Sequence, residues 1–171
     1  MIPCPYCGSK NIQGADHCAD CGQSLDDTHL APPRSDLERS LLRDRISALA
    51  PKSPITAAAS MPVGEVIRLM VERKIGCVVV VDFDRPVGIF SERDALRKID
   101  PEAPDVAARP VSEFMTPHPQ TLVADAKIAF AVQRMGLGGY RHLPIIGERG
   151  ALVGIISARD ILRHLTDNMT L

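Results

Sequence analysis

The chain has 171 residues, 45% of them hydrophobic and 4% aromatic with no tryptophan, so it can bury a sizeable core and that core must be aliphatic. A formal net charge of −1 excludes a broad polyanion-binding surface, because general affinity for nucleic acid or anionic membrane needs a basic excess. The Met1-Ile2-Pro3-Cys4 start lacks an export signal and the longest apolar run, near Ile75 to Val81, is too short to span a bilayer; a soluble, cytoplasmic protein is expected.

The first element is a pair of Cys-x-x-Cys-Gly turns, Cys4 to Gly8 and Cys18 to Gly22, with ten residues between Cys7 and Cys18. Four thiolates so spaced can converge on one tetrahedral ion, for which zinc is the default, and the glycine after each pair lets the backbone turn toward sulfur. Residues 1–25 resemble a short zinc ribbon with Cys4, Cys7, Cys18 and Cys21 as ligands. Disulfide pairing is the alternative, disfavoured in a reducing compartment, and a redox role lacks the βαβ context it needs. His17 is expected at the surface. A closed four-cysteine site has no open position, so its role is structural. The ionisable side chains other than cysteine in this stretch, Lys10 against Asp16, Asp20, Asp26 and Asp27, weigh against nucleic acid and for protein contact.

Residues 26–34, which carry Pro32-Pro33 near their end, read as a tether of limited flexibility along which the ribbon is expected to move. Over 35–52 a capping box at Ser35 and Glu38 opens an entry helix whose Leu37, Leu41, Leu42, Ile46 and Leu49 share a face. That helix is expected to cover the following domain or pair with a twin chain, a partner-protein helix being the alternative.

From residue 53 the chain is one unit written twice. Gly88 to Ile99, GIFSERDALRKI, returns as Gly154 to Leu165, GIISARDILRHL, with seven of twelve positions identical. Upstream, Pro54, Thr56, Met70 and Val78 match Pro119, Thr121, Met135 and Leu143 at an offset of 65, which becomes 66 after a one-residue loop difference. Each unit reads as β-α-β-β-α: a strand at Thr56 or Thr121, a helix to about Arg73 or Leu137, a strand pair, and a closing helix. The pairs are near Cys77–Val81 with Pro86–Phe90, and Leu143–Ile146 with Leu152–Ile156. At each Ser-x-x-Asp the serine caps the closing helix, worth roughly 1 kcal/mol, and a helix start bearing a hydroxyl and a carboxylate is also suited to a phosphate and a ribose.

The Gly-x-x-Ser-x-x-Asp turns, the Val111-Ser-Glu-Phe-Met-Thr-Pro117 segment and the Arg141-His142-Leu143-Pro144 strand entry together resemble the cystathionine-β-synthase (CBS) domain, and the pair resembles a Bateman module, over about residues 50 to 166. The resemblance implies an α+β fold of two CBS units, 53–110 and 111–171, packed with pseudo-twofold symmetry and binding adenine nucleotides or related adenosyl compounds. It implies two ligand sets: Ser157, Arg159 and Asp160 with Thr56, Gly76 and Cys77, and Ser91, Arg93 and Asp94 with Thr121, Arg141 and His142. Chemically, an aspartate accepts from both ribose hydroxyls while the serine and helix N–H groups take phosphate. Because Arg141-His142 stand where the other repeat has Gly76-Cys77, the Asp94 set is expected to bind polyphosphates more tightly; a helix-capping role is the other reading of Arg141 and His142. Cys77 is expected to be a small buried hydrophobe.

No nucleophile with an adjacent base and no open metal site can be assembled from these residues. The expected function is therefore non-enzymatic, a regulatory module signalling to a protein partner and, from the resemblance, homodimeric. The alternatives are a nucleic-acid-binding or transcription-associated ribbon protein, and a structural adaptor with vestigial clefts.

Overall fold

A computed structural model of the protein describes residues 1–12, 15–25 and 35–168, with the side chains of Asp36 and Leu37 excepted. The tether expected over 26–34 lies outside the described residues. Along the chain the elements begin with β1 (Ile2–Pro3), β2 (Lys10–Asn11), α1 (Asp36–Arg43), β3 (Thr56–Ala58), α2 (Val63–Arg73), β4 (Cys77–Asp82), β5 (Arg85–Ser91) and α3 (Glu92–Lys98). They continue with β6 (Thr116–Pro117), β7 (Leu122–Val123), α4 (Ile128–Gly138), β8 (His142–Ile146), β9 (Leu152–Ser157) and α5 (Ala158–Asn168). The β-α-β-β-α order expected for each repeat is present in both.

The chain divides into two compact units, Ser53–Pro119 and Met1–Lys52 with Gln120–Leu171. In the first, the sheet order is β3-β4-β5-β6, with β3 parallel to β4 and the rest antiparallel. Its apolar face packs Val78, Val80 and Phe90 against Val63, Val66 and Met70 of α2, closed by Val111 and Phe114. The helix spacing of Val63, Val66 and Met70 places all three on one side of α2, and Lys74 in the left-handed region ends it by returning its N–H to Met70.

The β4–β5 turn is two residues long, with Phe83 (φ 43°) and Asp84 (φ 64°) both left-handed. This is the backbone of a type I′ turn, which suits the strand twist but favours Asn-Gly. Phe83 is 95% exposed and gains no packing to offset its backbone cost. Phe83→Asn with Asp84→Gly is expected to raise stability by about 1 kcal/mol in chemical denaturation; an unchanged or lower midpoint would contradict this.

In the second unit the sheet order is β7-β8-β9, with β7 parallel to β8 and β8 antiparallel to β9. Leu122, Leu143, Ile145 and Ile156 pack with Ile128 and Ala131 of α4 and Ile161 of α5. Both hairpins carry a register shift at matching places, between Val80 and Val81 and between Ile145 and Ile146, as duplicated sequence requires.

The structure revises the entry helix. Helix α1 is capped by Ser35, whose side chain accepts from the Glu38 N–H, but stops at Arg43. The backbone of Asp44, Ile46 and Ser47 is drawn instead into bonds with Ile128, Ala126 and Ala124, and a short 3-10 turn follows at Ile46–Leu49. These tertiary bonds outcompete continued helix. Ile46 and Leu49 are buried as their spacing implies, but in the core of the second repeat, not in the domain that follows them in sequence.

Each repeat's lead-in thus belongs to the other repeat's unit. Thr116-Pro117 lies along β5, with Thr116 opposite Ile89, and Lys52 bridges Ile155 of β9. This explains the glycine of each repeated motif. A Cβ on Gly154 would stand 2.9 Å from Pro51 Cβ, and one on Gly88 would enter the Met115 side chain.

Candidate functional site

The four ribbon cysteines converge. Their sulfurs all lie within 4.8 Å of one another, with Cys4 and Cys21 at 3.5 Å and Cys7 and Cys18 at 3.7 Å. A tetrahedral zinc site with Zn–S near 2.3 Å requires sulfurs about 3.8 Å apart, so the residues present fit the metal. The two knuckles are built alike: Gly8 (φ 77°) and Gly22 (φ 71°) are left-handed, and their N–H groups return to the Cys4 and Cys18 carbonyls at 2.9 Å. The Tyr6 N–H approaches Cys4 Sγ, and Asn11, buried, donates to Cys18 Sγ while accepting from the Ala19 N–H. His17 is exposed and stands outside the cluster.

The ribbon does not hang free. Ile2, Pro3, Pro5 and Leu25 line a crevice of 220 Å³ with Val123, Ala126 and Phe130 of the second repeat. Arg134 of α4 reaches across: its guanidinium stands 4.2 Å from the centre of the Tyr6 ring and donates to Gln23 at 2.9 Å. Side-chain contacts thus join the ribbon to α4.

The two Ser-x-x-Asp turns are held by the same pair of hydrogen bonds. Asp94 Oδ2 accepts from the Ser91 N–H at 3.0 Å and from Ser91 Oγ at 2.6 Å; for Asp160 and Ser157 the values are 2.8 and 2.6 Å. Each aspartate is buried, 7% exposed as a residue. The second oxygen of each takes a lysine: Asp94 Oδ1 pairs with Lys98 at 2.8 Å and accepts from Thr116 Oγ1, while Asp160 Oδ1 pairs with Lys52 at 2.9 Å. Lys98 also donates to the Phe114 and Met115 carbonyls, so it is fully engaged.

Burial pushes both acids upward, but the bonds from Lys98, Ser91 and Thr116 hold Asp94 below the ordinary carboxylate value, and those from Ser157 and Lys52 do the same for Asp160. Asp44 is also lowered, first by Ser40 and then by His164, whose Nε2 stands 2.9 Å from Asp44 Oδ2 and ties α5 to α1. A depressed folded-state value contributes stability that is present above the unfolded value and lost as pH falls through the folded one. The melting temperature is therefore expected to hold through mild acid and fall below about pH 4, where unfolded carboxylates protonate. A loss already complete above that range would contradict these assignments.

The remaining predicted residues sort by unit. Gly76 and Cys77 sit beside their own repeat's serine, Cys77 opposite Ser91 and the Gly76 carbonyl accepting from Glu92 N–H. Likewise His142 lies opposite Ser157, and the Arg141 carbonyl accepts from Ala158 N–H. Thr56 is exposed in β3, and Thr121 is half-buried just before β7. Arg93 and Arg159 are exposed in the first turns of α3 and α5, and Gly139 (φ 64°) ends α4 ahead of Arg141. Cys77 is buried as expected; desolvation, followed by the charges of Glu92 and Asp94, pushes its thiol up to about 12. Sequence reading missed Lys52, Lys98 and Thr116. Lys98 was detectable as the i+4 partner of Asp94, whereas Lys52 and Thr116 meet their acids only through the exchanged lead-ins.

A CBS domain family model matches residues 46–101 and 111–167, and the chain belongs to the CBS-domain family. It is 33% identical over 128 residues to a 17.7 kDa protein of Acidianus ambivalens, covering 74% of this chain and 76% of that one. It is 31% identical over 119 residues to a Methanopyrus kandleri protein, covering 69% and 61%. Of the longer curated relatives it spans as little as 14%. Among solved structures it is similar to a CBS domain protein from Pyrobaculum aerophilum complexed with AMP, at 26% identity and a TM-score of 0.61, covering 72% of this chain and 99% of that one. No helix among the described residues is long and apolar enough to cross a membrane.

Proposed function

We propose that this protein is a non-enzymatic regulatory module that senses adenine nucleotides or related adenosyl ligands and signals their presence to a protein partner. The observation that carries this reading is the pair of buried carboxylates, each fixed by one oxygen in a serine cap and holding a lysine on the other. A ribose diol offers two donors to the lysine-bound oxygen, and Lys52, 62% exposed where Lys98 is held by two carbonyls, then becomes available to phosphate. The ligand residues are those implied by the family: Asp94, Ser91 and Arg93 with Thr121, Arg141 and His142, and Asp160, Ser157 and Arg159 with Thr56, Gly76 and Cys77. Lys52 gives the Asp160 set a cation that its Gly76-Cys77 strand entry lacks, which narrows the difference between the two. The AMP complex of the Pyrobaculum relative supports an adenosyl ligand.

The ribbon is read as a structural zinc site, the location as the cytoplasm, and the working form as a homodimer, the last as the family resemblance implies. Calorimetric titration with AMP, ATP and S-adenosylmethionine, alongside thermal melts and sedimentation, tests the whole reading. Saturable binding by at least one compound with a raised melting temperature is expected. No binding and no shift with any of the three would refute it.

A further inference from the structure

Arg134 is the most unusually placed cation among the described residues. It projects from α4 toward the ribbon, half-buried, with its Nε fully buried and without a hydrogen-bond partner among those residues. Its other nitrogens donate to neutral amides, Nη2 to Gln23 and Nη1 to Gln120, and its face covers the Tyr6 ring. Among the described residues no carboxylate pairs with it. A partly desolvated guanidinium without an anion is costly unless a compensating charge stands nearby.

The ribbon supplies that charge once metal is bound. Four thiolates and one dication sum to a net charge of about −2. Tyr6 lies between Cys4 and Cys7 in one knuckle and Gln23 follows Cys21 and Gly22 in the other, so Arg134 touches both turns that hold the metal. At its other end it touches Gln120, the neighbour of Thr121, and its own helix runs into Gly139 and then Arg141-His142.

We propose that Arg134 couples metal occupancy of the four-cysteine centre to the ligand residues of the second repeat. With metal bound, the ribbon holds Arg134, which fixes α4 and, through Gln120, the approach to Thr121. Metal loss removes the counter-charge and the ordered knuckles together, and α4 and residues 120–123 loosen. The ligand end of this coupling rests on the adenosyl-binding reading above; the mechanical end does not. Linkage makes the effect reciprocal, so a ligand at Thr121, Arg141 and His142 raises metal affinity by the same factor.

The test uses the full chain, loaded with zinc or stripped by chelator, and reads amide hydrogen exchange in α4 and residues 120–123 beside AMP affinity. Zinc content is counted with a chromogenic chelator. In the unmodified protein, stripping is expected to speed exchange in these segments several-fold and weaken AMP by about five-fold or more. Arg134→Met is expected to keep its zinc yet show the fast exchange and weak AMP binding in both states. Gln120→Ala, which removes the Arg134 Nη1 bond but leaves the contacts of Arg134 with Tyr6 and Gln23 intact, is expected to abolish the response at 120–123 while α4 still responds; it serves if Arg134→Met fails to fold. Exchange indifferent to zinc in the unmodified protein, or an unchanged zinc response in Arg134→Met, overturns the coupling. A zinc-dependent exchange response with no AMP binding in any form overturns only the ligand end. AMP binding that ignores zinc alongside unresponsive exchange overturns the coupling and leaves the adenosyl reading standing.

Discussion

Stripping the metal from residues 1–25 is expected to unfold that segment while leaving both repeat units folded. Among the described residues the strands there are the two-residue β1 and β2 alone, and the buried residues are Cys4, Pro5, Asn11 and Cys18. Among the described residues these form no aliphatic core that could survive without the ion. Metal binding then supplies most of the segment's folding free energy, on the order of 10 kcal/mol in comparable sites. Cys4→Ser is expected to act as the chelator does, because it removes the ligand whose sulfur the Tyr6 N–H approaches. Backbone NMR provides the check: ribbon amides should collapse to unstructured shifts while those of β4, β5, β8 and β9 stay dispersed. Ribbon shifts unmoved by a strong chelator would show that something other than metal holds these turns.

Asp94→Asn and Asp160→Asn are expected to weaken AMP binding, each by about ten-fold or more at its own site, because a hydrogen bond to a charged group contributes roughly 1.5–3 kcal/mol. Asparagine keeps an acceptor for the serine cap but removes the charge that the second oxygen offers a diol. The two variants should differ in stability. Lys98 is 38% exposed and bound to two carbonyls, so it cannot easily turn to water when Asp94 is neutralised. Lys52 is 62% exposed and relaxes into solvent. Asp94→Asn should therefore melt lower than Asp160→Asn, a ranking that differential scanning calorimetry reads directly. Equal AMP affinity in both variants and the unmodified chain would remove the two acids from any ligand role.

Much of this arrangement was legible from residue patterns because it depends on local chemistry. The repeat fixed the β-α-β-β-α order, Ser91 and Ser157 announced their caps, and the cysteine spacing announced the convergence of four sulfurs. What escaped was set by distant partners. The break in the entry helix at Asp44 comes from bonds to Ala124, Ala126 and Ile128, some eighty residues away. The pairing of Lys52 with Asp160 spans 108 residues and Arg134 with Gln23 spans 111, separations at which single-sequence periodicity carries no signal. Gly88 and Gly154 were visible as repeated positions, but their reason, the close passage of Met115 and Pro51, appears only in three dimensions.

The exchanged lead-ins bear on how the molecule comes apart. A cut near residue 110 would sever the gene at its obvious seam, yet each piece would carry a strip of the other's fold: Ile46, Leu49 and Lys52 in one, Val111, Phe114 and Thr116 in the other. Neither half is a complete domain in isolation, so the two pieces should regain cooperative melting only when mixed. The duplication in sequence has become interdependence in space, and independent refolding of either piece alone would contradict it.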